Sequence, residues 1–347
     1  LTTTAKPRTL VLDQRLEIEQ PTSTEDRMRA RLAMAAGLVP VLLGPPSAAQ
    51  AWPEKPVRIV VPFAPGGPTD AIARIVSDKL GERWKQPIVI EIRPGGGSNP
   101  GTAAVARSTP DGYTLVVNTT VVAVNQTLFK APGYDPVKDL APIINVARSP
   151  NLIVASKSLK AGTLQEAIAE ARAGQLSYGS PGAGTTPHLT MEYLFRVLAK
   201  VDVAHVAFKG GSEMNNAALS GAIQLGCGAV PTVFALVASG ELRGLGVTSA
   251  KRIAALPQVP TVAEAGFKDF EDYTWIGFFA PGGTPAALVS RINKDMNDVI
   301  ATGDVKDRLA KIGFEIVGGP ADGFSKYIAA EVGKWSQVVR AIGLPPI

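Results

Sequence analysis

Val57-Arg-Ile-Val-Val-Pro-Phe-Ala-Pro-Gly-Gly-Pro-Thr-Asp-Ala-Ile-Ala-Arg74 changes its periodicity half-way along. Val57, Ile59, Val60 and Val61 are β-branched and nearly consecutive, the pattern of a buried strand, whereas Ile72, Ile75, Val76 and Leu80 recur at helical spacing. Between them Gly67 suits an N-cap, and Pro68 suits the first helical position, where its missing N–H is no loss. Asp70 falls in the first turn, where a negative charge complements the helix dipole. A strand, a tight loop and a helix N-terminus together aim unpaired backbone N–H groups out of the carboxyl edge of a sheet, an anion site made of backbone.

The same grammar returns later. Leu176 to Ser180 reads as a short strand, Pro181-Gly-Ala-Gly184 as a flexible loop, and Thr186-Pro187 as an N-cap with a first-turn proline. Leu189, Tyr193, Leu194, Val197 and Leu198 continue as a helical stripe. Two such loops far apart in the chain predict two lobes, each offering a helix N-terminus to one ligand. Thr69, Ser180, Thr185 and Thr186 add hydroxyls to these loops, and Lys209 is their sole cation.

The chain is 347 residues long, 46% hydrophobic and 19% charged, enough for two globular domains. Its formal charge of +5 is modest, and Lys and Arg stand singly without aromatic interleaving, so no nucleic-acid partner is expected. Arg27, Arg29 and Arg31 precede an apolar run from Leu32 to Leu43 and then Ala49-Gln50-Ala51, the layout of a secretory signal peptide cleaved after Ala51, with Met28 as the natural start. Such a leader implies export. Cys227 is the only cysteine, so no internal disulfide forms, and its apolar surroundings read as a small buried residue.

Beyond the first unit, Ile88 to Ile92 reads as a strand leading into Arg93-Pro-Gly-Gly-Gly-Ser-Asn-Pro-Gly101. Tyr113 to Val117 is a third strand, followed by the polar loop Asn118-Thr119-Thr120. Asn151 to Ser156 is a fourth, Leu164 to Ala173 a helix, and Ala321 to Ile342 a long closing helix. Strands alternating with helices imply a parallel α/β sheet with its ligand loops at one edge.

Chemistry beyond binding finds little support. Proline replaces the third glycine of a dinucleotide fingerprint in both Gly-rich loops, Gly-x-Ser-x-Gly is absent, and His188 and His205 are the only histidines. No catalytic residue, cofactor or metal is expected. His188 reads as a polar wall residue or cap partner, Asp70 as a partner of its own helix dipole or a ligand contact, and Trp275 as core or pocket wall.

Trp52 to Asp70, Arg93-Pro-Gly-Gly-Gly-Ser-Asn99, Asp111-Gly-Tyr-Thr-Leu115, Tyr178-Gly-Ser-Pro-Gly-Ala-Gly-Thr-Thr-Pro-His-Leu189, Phe208-Lys-Gly210, Leu256 to Gly266 and Trp275-Ile-Gly-Phe-Phe-Ala-Pro-Gly-Gly-Thr-Pro285 together resemble the Bug receptors. These are the extracytoplasmic solute-binding components of tripartite tricarboxylate transporters. The resemblance implies a periplasmic binding protein of type II-like α/β fold: two lobes, a ligand cleft between them and two crossovers. It implies that the loops Pro62 to Asp70 and Gly179 to His188 grip a small carboxylate, with membrane permease subunits as partners. Phe63, Ala64, Gly66, Gly67, Thr69, Asp70, Thr119, Ser180, Gly182, Gly184, Thr185, Thr186, His188 and Lys209 are the expected ligand-binding residues. The chain departs from the family pattern at Glu213, Ala217 and Ser220-Gly221, and in reading Glu91-Ile92-Arg93 where Glu-Asn-Arg is usual.

The domain expectation is 1–51 as N-terminal extension and signal peptide, 52–153 plus 276–347 as lobe one and 154–275 as lobe two. The function expectation is a monomeric receptor that captures a carboxylate and does not turn it over. An exported ligand sensor serving a signalling partner and an enzyme acting on small organic acids are the alternatives.

Overall fold

The computed structural model of the chain describes residues 52–174 and 176–346. The expected signal peptide and its cleavage point lie outside them. In order come β1 (Val57–Val61), α1 (Pro68–Trp84), β2 (Ile88–Ile92), α2 (Asn99–Ala106), β3 (Thr114–Thr119), α3 (Val121–Leu128), β4 (Leu140–Ala155), α4 (Leu164–Ala173), β5 (Ser177–Ser180) and α5 (Thr186–Glu192). Then follow a wide π turn at Tyr193–Ala199, β6 (Ala204–Ala207), α6 (Gly211–Ser220), β7 (Leu225–Ala229), α7 (Val230–Ala238), β8 (Arg243–Val247), β9 (Tyr273–Pro281), α8 (Ala286–Ile300), α9 (Gly303–Lys311), β10 (Glu315–Ile316) and α10 (Ala321–Ile342). Residues Pro53–Ile347 make one unit.

The fold is a two-lobe α/β arrangement, and β4 organises it. Its first part, Leu140 to Pro150, pairs antiparallel with β9; its last part, Asn151 to Ala155, pairs antiparallel with β7 and β8. One sheet therefore runs β2-β1-β3-β9-β4-β10 and the other β8-β4-β7-β5-β6. The changeover falls between Pro150 and Asn151. The second passage lies at Asp272 and Tyr273, where Tyr273 opposes Pro150 while the Asp272 N–H still donates to the Thr248 carbonyl at 3.0 Å.

The expected parallel sheet is present only outside the centre. β1 pairs parallel with β2 and β3, and β5 with β6 and β7, but β9 is antiparallel to both β3 and β4. A buried strand is apolar whichever way it runs, so strand direction leaves no local trace. The sixteen residues of β4 also exceed the strand expected at Asn151 to Ser156. Pro142 and Pro150 disguise the earlier part: the register slips between Pro142 and Ile144, where a proline lacking a ladder donor is tolerated, and Pro150 stands at the changeover.

Each lobe fills its own core. Val60, Val116, Trp275, Phe279 and Phe324 pack together on one side, and Ile153, Tyr178, Leu194, Phe195 and Cys227 on the other. Cys227 is fully buried, and burial pushes its thiol well up, in keeping with a small core residue. Trp275 is fully buried too and belongs to the core. Helix α10 buries Phe324, Ile328, Glu331, Trp335, Val339 and Ile342, a stripe at three- and four-residue steps.

Polar groups tie the two passages together. Asn151 N–H donates to Thr248 Oγ1 at 2.8 Å, Thr248 Oγ1 donates to the Asp272 carbonyl at 2.6 Å, and Thr274 Oγ1 donates to Asn151 Oδ1 at 2.9 Å. Asn151 Nδ2 donates to Asp272 Oδ2 at 2.8 Å. Buried polar groups call for partners, and here all but Asp272 Oδ1 find them in one another across the crossover.

Candidate functional site

The first loop folds around its own carboxylate. Gly67 caps α1 in an extended conformation with Pro68 in the first turn, as expected. Asp70 is buried; its Oδ2 accepts the Gly66 N–H at 2.9 Å and its Oδ1 accepts Arg74 Nε at 2.9 Å. Oδ2 holds the Gly66–Gly67 turn in shape, while Oδ1 is held by Arg74 one turn along α1. Thr69 is buried beside it, Phe63 is half-buried and Ala64 is exposed.

The second loop starts one residue earlier than expected: Thr185 is the N-cap and Thr186 the first helical residue, with Pro187 next. Thr185 Oγ1 donates to the Gly182 carbonyl at 2.7 Å, closing the loop on itself. Gly184 N–H donates to His188 Nδ1 at 3.0 Å, so Nδ1 is bare and Nε2 carries the proton. Ser180 Oγ lies 2.8 Å from His205 Nε2. Thr186 Oγ1 is buried and has no hydrogen-bond partner among the described residues.

Gly184 also brings the loop against the other lobe. A Cβ built there would stand 2.6 Å from Leu128 Cδ2 and 3.7 Å from Asn125 Oδ1 of α3. Asn125 Nδ2 in turn donates to the Gly97 carbonyl and to Asn99 Oδ1, each at 2.7 Å. Thr119, at the end of β3, is buried, and its Oγ1 accepts the Val121 N–H at 3.4 Å.

A cavity of about 1190 Å³ opens beside the crossovers. Gly66, Gly67, Pro68 and Ala71 form one wall, and Gly211, Ser212, Asn215, Val230 and Thr232 form another, so the N-termini of α1, α6 and α7 border a single space. Helix N-termini carry partial positive charge and unpaired N–H donors. Arg148, Lys251, Arg252 and Lys311 add cations to the lining, with Glu271 and Glu315 as its acids. Of the expected ligand residues, Gly66 and Gly67 line this cavity. Lys209 is exposed at its α6 side, its N–H donating to Glu213 Oε2 at 3.1 Å. Glu213, a departure from the family pattern, thus closes the turn that starts α6. Among the described residues no group of three or more His, Cys, Asp or Glu side chains is arranged to hold a metal, and no helix is long and apolar enough to cross a membrane.

Residues 72–344 match the family described as the tripartite tricarboxylate transporter family receptor. The chain belongs to this receptor family. It is 32% identical to Protein BugT of Bordetella pertussis over 302 residues, covering 86% of this chain and 92% of that one. It is 34% identical to a UPF0065 protein from the tcbD-tcbE intergenic region of Pseudomonas sp. strain P51, covering 83% of this chain and 87% of that one. Among solved structures, the periplasmic binding protein BugD superposes with a TM-score of 0.78 at 29% identity, covering 85% of this chain and all of that one. The R. palustris protein Rpa4515, solved with adipate, gives 0.80 at 34% identity with the same coverage. MatC of Rhodopseudomonas palustris, solved with malate, gives 0.76 at 29%, covering 83% of this chain and all of that one.

The receptor's two histidines meet in a way that the sequence alone leaves hidden. β5 and β6 run parallel with Tyr178 opposite His205, and the His188 ring stacks on His205 with centroids 3.9 Å apart. Tyr178 also stacks on His205, with ring centroids 4.9 Å apart, and its hydroxyl donates to Glu192 Oε1 at 2.7 Å. Glu192 Oε2 is paired with Arg196 Nε at 2.7 Å. His205 was recoverable only as the one polar residue inside an apolar strand; its partner at Ser180 depends on strand pairing. Asn125 is equally hidden, because the β-branched run Val121-Val-Ala-Val124 before it conceals its helix.

Burial holds both imidazoles neutral, pushing His188 down to about 3, with His205 and Arg196 as further causes, and His205 down to about 4. In the unfolded chain histidine titrates near 6.5, so between that pH and about 4 the unfolded state binds protons that the folded state refuses. The stabilisation is complete above pH 6.5 and is lost as pH falls through this window. Asp272, which burial pushes up to about 6, and Glu192, which burial also pushes up, act in the opposite sense and make the loss shallower, but His188 is displaced from its ordinary value by more than Asp272 is and His205 adds to it. The urea midpoint should therefore fall as the buffer moves from pH 7 to pH 4.5, and less steeply in His188→Gln. A midpoint that rises on acidification would contradict the neutral stacked pair.

Proposed function

We propose that this chain is a monomeric periplasmic receptor that captures a small carboxylate between its lobes and delivers it, unchanged, to the membrane permease subunits of a tripartite tricarboxylate transporter. The expected lobes, 52–153 plus 276–347 and 154–275, are hinged at the two strand passages, which fall three residues ahead of each expected boundary, between Pro150 and Asn151 and between Asp272 and Tyr273. The carboxylate is gripped by the loops Pro62 to Asp70 and Gly179 to His188, with Thr119 and Lys209 at the edges. Export uses the leader, cleaved after Ala51.

The observation that carries this reading is the Thr186 hydroxyl, buried at the start of α5 in the second loop without a protein partner. A buried donor left unpaired costs about 1–3 kcal/mol, which an acceptor-rich ligand recovers. The Gly66–Gly67 turn supplies backbone N–H groups at a second helix N-terminus. The carboxylate-bound relatives, with adipate in Rpa4515 and malate in MatC, support the ligand class.

A thermal-shift screen of mature protein against aliphatic, aromatic and amino-acid carboxylates should give stabilisation by at least one of them, and none by neutral sugars or simple cations. Combining Thr69→Ala with Thr186→Ala should weaken the best hit roughly tenfold or more, the worth of one to two charge-assisted bonds at about 1.5 kcal/mol each. Stabilisation only by sugars, or unchanged affinity in the double variant, would overturn the assignment. Turnover of the bound acid would favour an enzyme.

A further inference from the structure

Asp272 sits at the second passage between the lobes and is wholly enclosed, 6% exposed. Its Oδ2 receives two hydrogen bonds from different parts of the chain. Asn151 Nδ2, at the first passage, donates at 2.8 Å, and Thr190 Oγ1, on α5, donates at 2.5 Å. Asn151, Thr190 and Thr248 are all buried, and Asp272 Oδ1 has no partner among the described residues. One carboxylate thus links both crossover strands to the helix that begins with the second loop. Thr190 lies one turn beyond Thr186 on that helix, and His188, which holds the Gly184 N–H, lies between them.

We propose that Asp272 is a positioning residue for ligand capture: through Thr190 it anchors the start of α5 to the hinge, and so sets the placement of the Gly182–Thr186 loop without touching the ligand. This rests on the second loop being part of the grip. A carboxylate enclosed in protein is costly to keep unless its hydrogen bonds do something that an apolar residue could not. An apolar residue at 272 would pack, but it would leave Asn151 and Thr190 without their shared acceptor. The fold itself already has an independent tie across the passages through Thr248. What Asp272 adds is the short link to α5, since the direct one from Asn151 Nδ2 to Thr190 Oγ1 is long, at 3.4 Å.

The first arm of the test uses free protein. Amide exchange over 184–190 should quicken roughly 10- to 100-fold in Asp272→Ala and in Thr190→Val, the range expected for loss of a bond to a buried charge, while exchange in β7 stays as in the parent. Asp272→Asn retains an oxygen acceptor for Thr190 and Asn151 and should restore protection. Thr190→Val keeps the shape of the side chain, so it reads the link even if Asp272→Ala fails to fold. Unchanged exchange over 184–190 in Thr190→Val, or equal loss of protection in Asp272→Asn and Asp272→Ala, would overturn the proposal.

The second arm titrates adipate and malate by calorimetry. Whichever binds the parent should bind Thr190→Val about tenfold more weakly, with Asp272→Asn close to the parent. Unchanged affinity in Thr190→Val would overturn the role in capture. If neither acid binds the parent, the choice of ligand fails, while the exchange arm still decides whether Asp272 positions the loop.

Discussion

Gly184→Ala should lower the stability of the receptor by about 2–5 kcal/mol, although it adds one methyl group to a loop. Two penalties coincide. Gly184 has φ of +77°, a conformation that disfavours any residue with a Cβ by about 1–2 kcal/mol. The new methyl would also stand 2.6 Å from Leu128 Cδ2. Leu128 has little room to yield, being 1% exposed and packed among Val124, Leu189, Trp335 and Val339. Overpacking of this kind adds about 1–3 kcal/mol. Gly66→Ala makes a clean comparison: its φ is +78°, but a methyl there meets nothing within 4 Å, so it should carry the backbone penalty alone. Urea titration of the two variants separates the contributions. In the pair Gly184→Ala and Leu128→Ala the effects should be less than additive, because the smaller residue removes the clash. Equal costs for Gly184→Ala and Gly66→Ala would show that the loop does not press on α3.

The elements legible in the sequence were those whose determinants are local. Gly67-Pro68 fixed the start of α1, and the stripe from Phe324 to Ile342 defined α10 to its last residue. The α4 range, Leu164 to Ala173, is as expected, and the Thr163 side chain before it accepts the Glu166 N–H. The cap of α5 was displaced by one residue because Thr185 and Thr186 are chemically equivalent candidates, and only the backbone, extended at Thr185, chooses between them. Val121-Val-Ala-Val124 conceals α3, since β-branched residues argue against a helix and only burial against Leu189 and α10 outweighs that preference.

The rest of the site was illegible for a different reason. His188 with His205, Gly184 with Leu128, and Asp272 with Thr190 are separated by 17, 56 and 82 positions respectively, and each meeting follows from strand order. Strand order in turn depends on β4 and β9 running antiparallel to their neighbours through the centre of both sheets, which no local pattern encodes. Sequence grammar therefore located the loops correctly as loops, and left open which surfaces hold them in place.

Glu331→Ala should be at least as damaging, by about 3–5 kcal/mol, because one buried oxygen serves two indoles. Glu331 Oε2 accepts Trp275 Nε1 at 2.9 Å from β9 and Trp335 Nε1 at 3.0 Å from the next turn of α10. Truncation leaves both N–H groups unpaired in the core, at about 1–3 kcal/mol each, and opens a cavity. It also deprives Lys334 of the carboxylate 3.9 Å away. Glu331→Gln retains an acceptor oxygen at the same place and should cost about 1 kcal/mol, whereas Glu331→Leu restores volume without an acceptor and should remain close to alanine. Urea denaturation of the three variants, read by far-UV circular dichroism so that altered indole emission does not intrude, gives the order. Equal losses for glutamine and alanine would mean that charge, not acceptor geometry, is what the two tryptophans require. The expected order instead makes Glu331 the acceptor that binds the last helix to β9 three residues from Asp272, so that the last helix and the passage between the lobes are each held by a buried carboxylate.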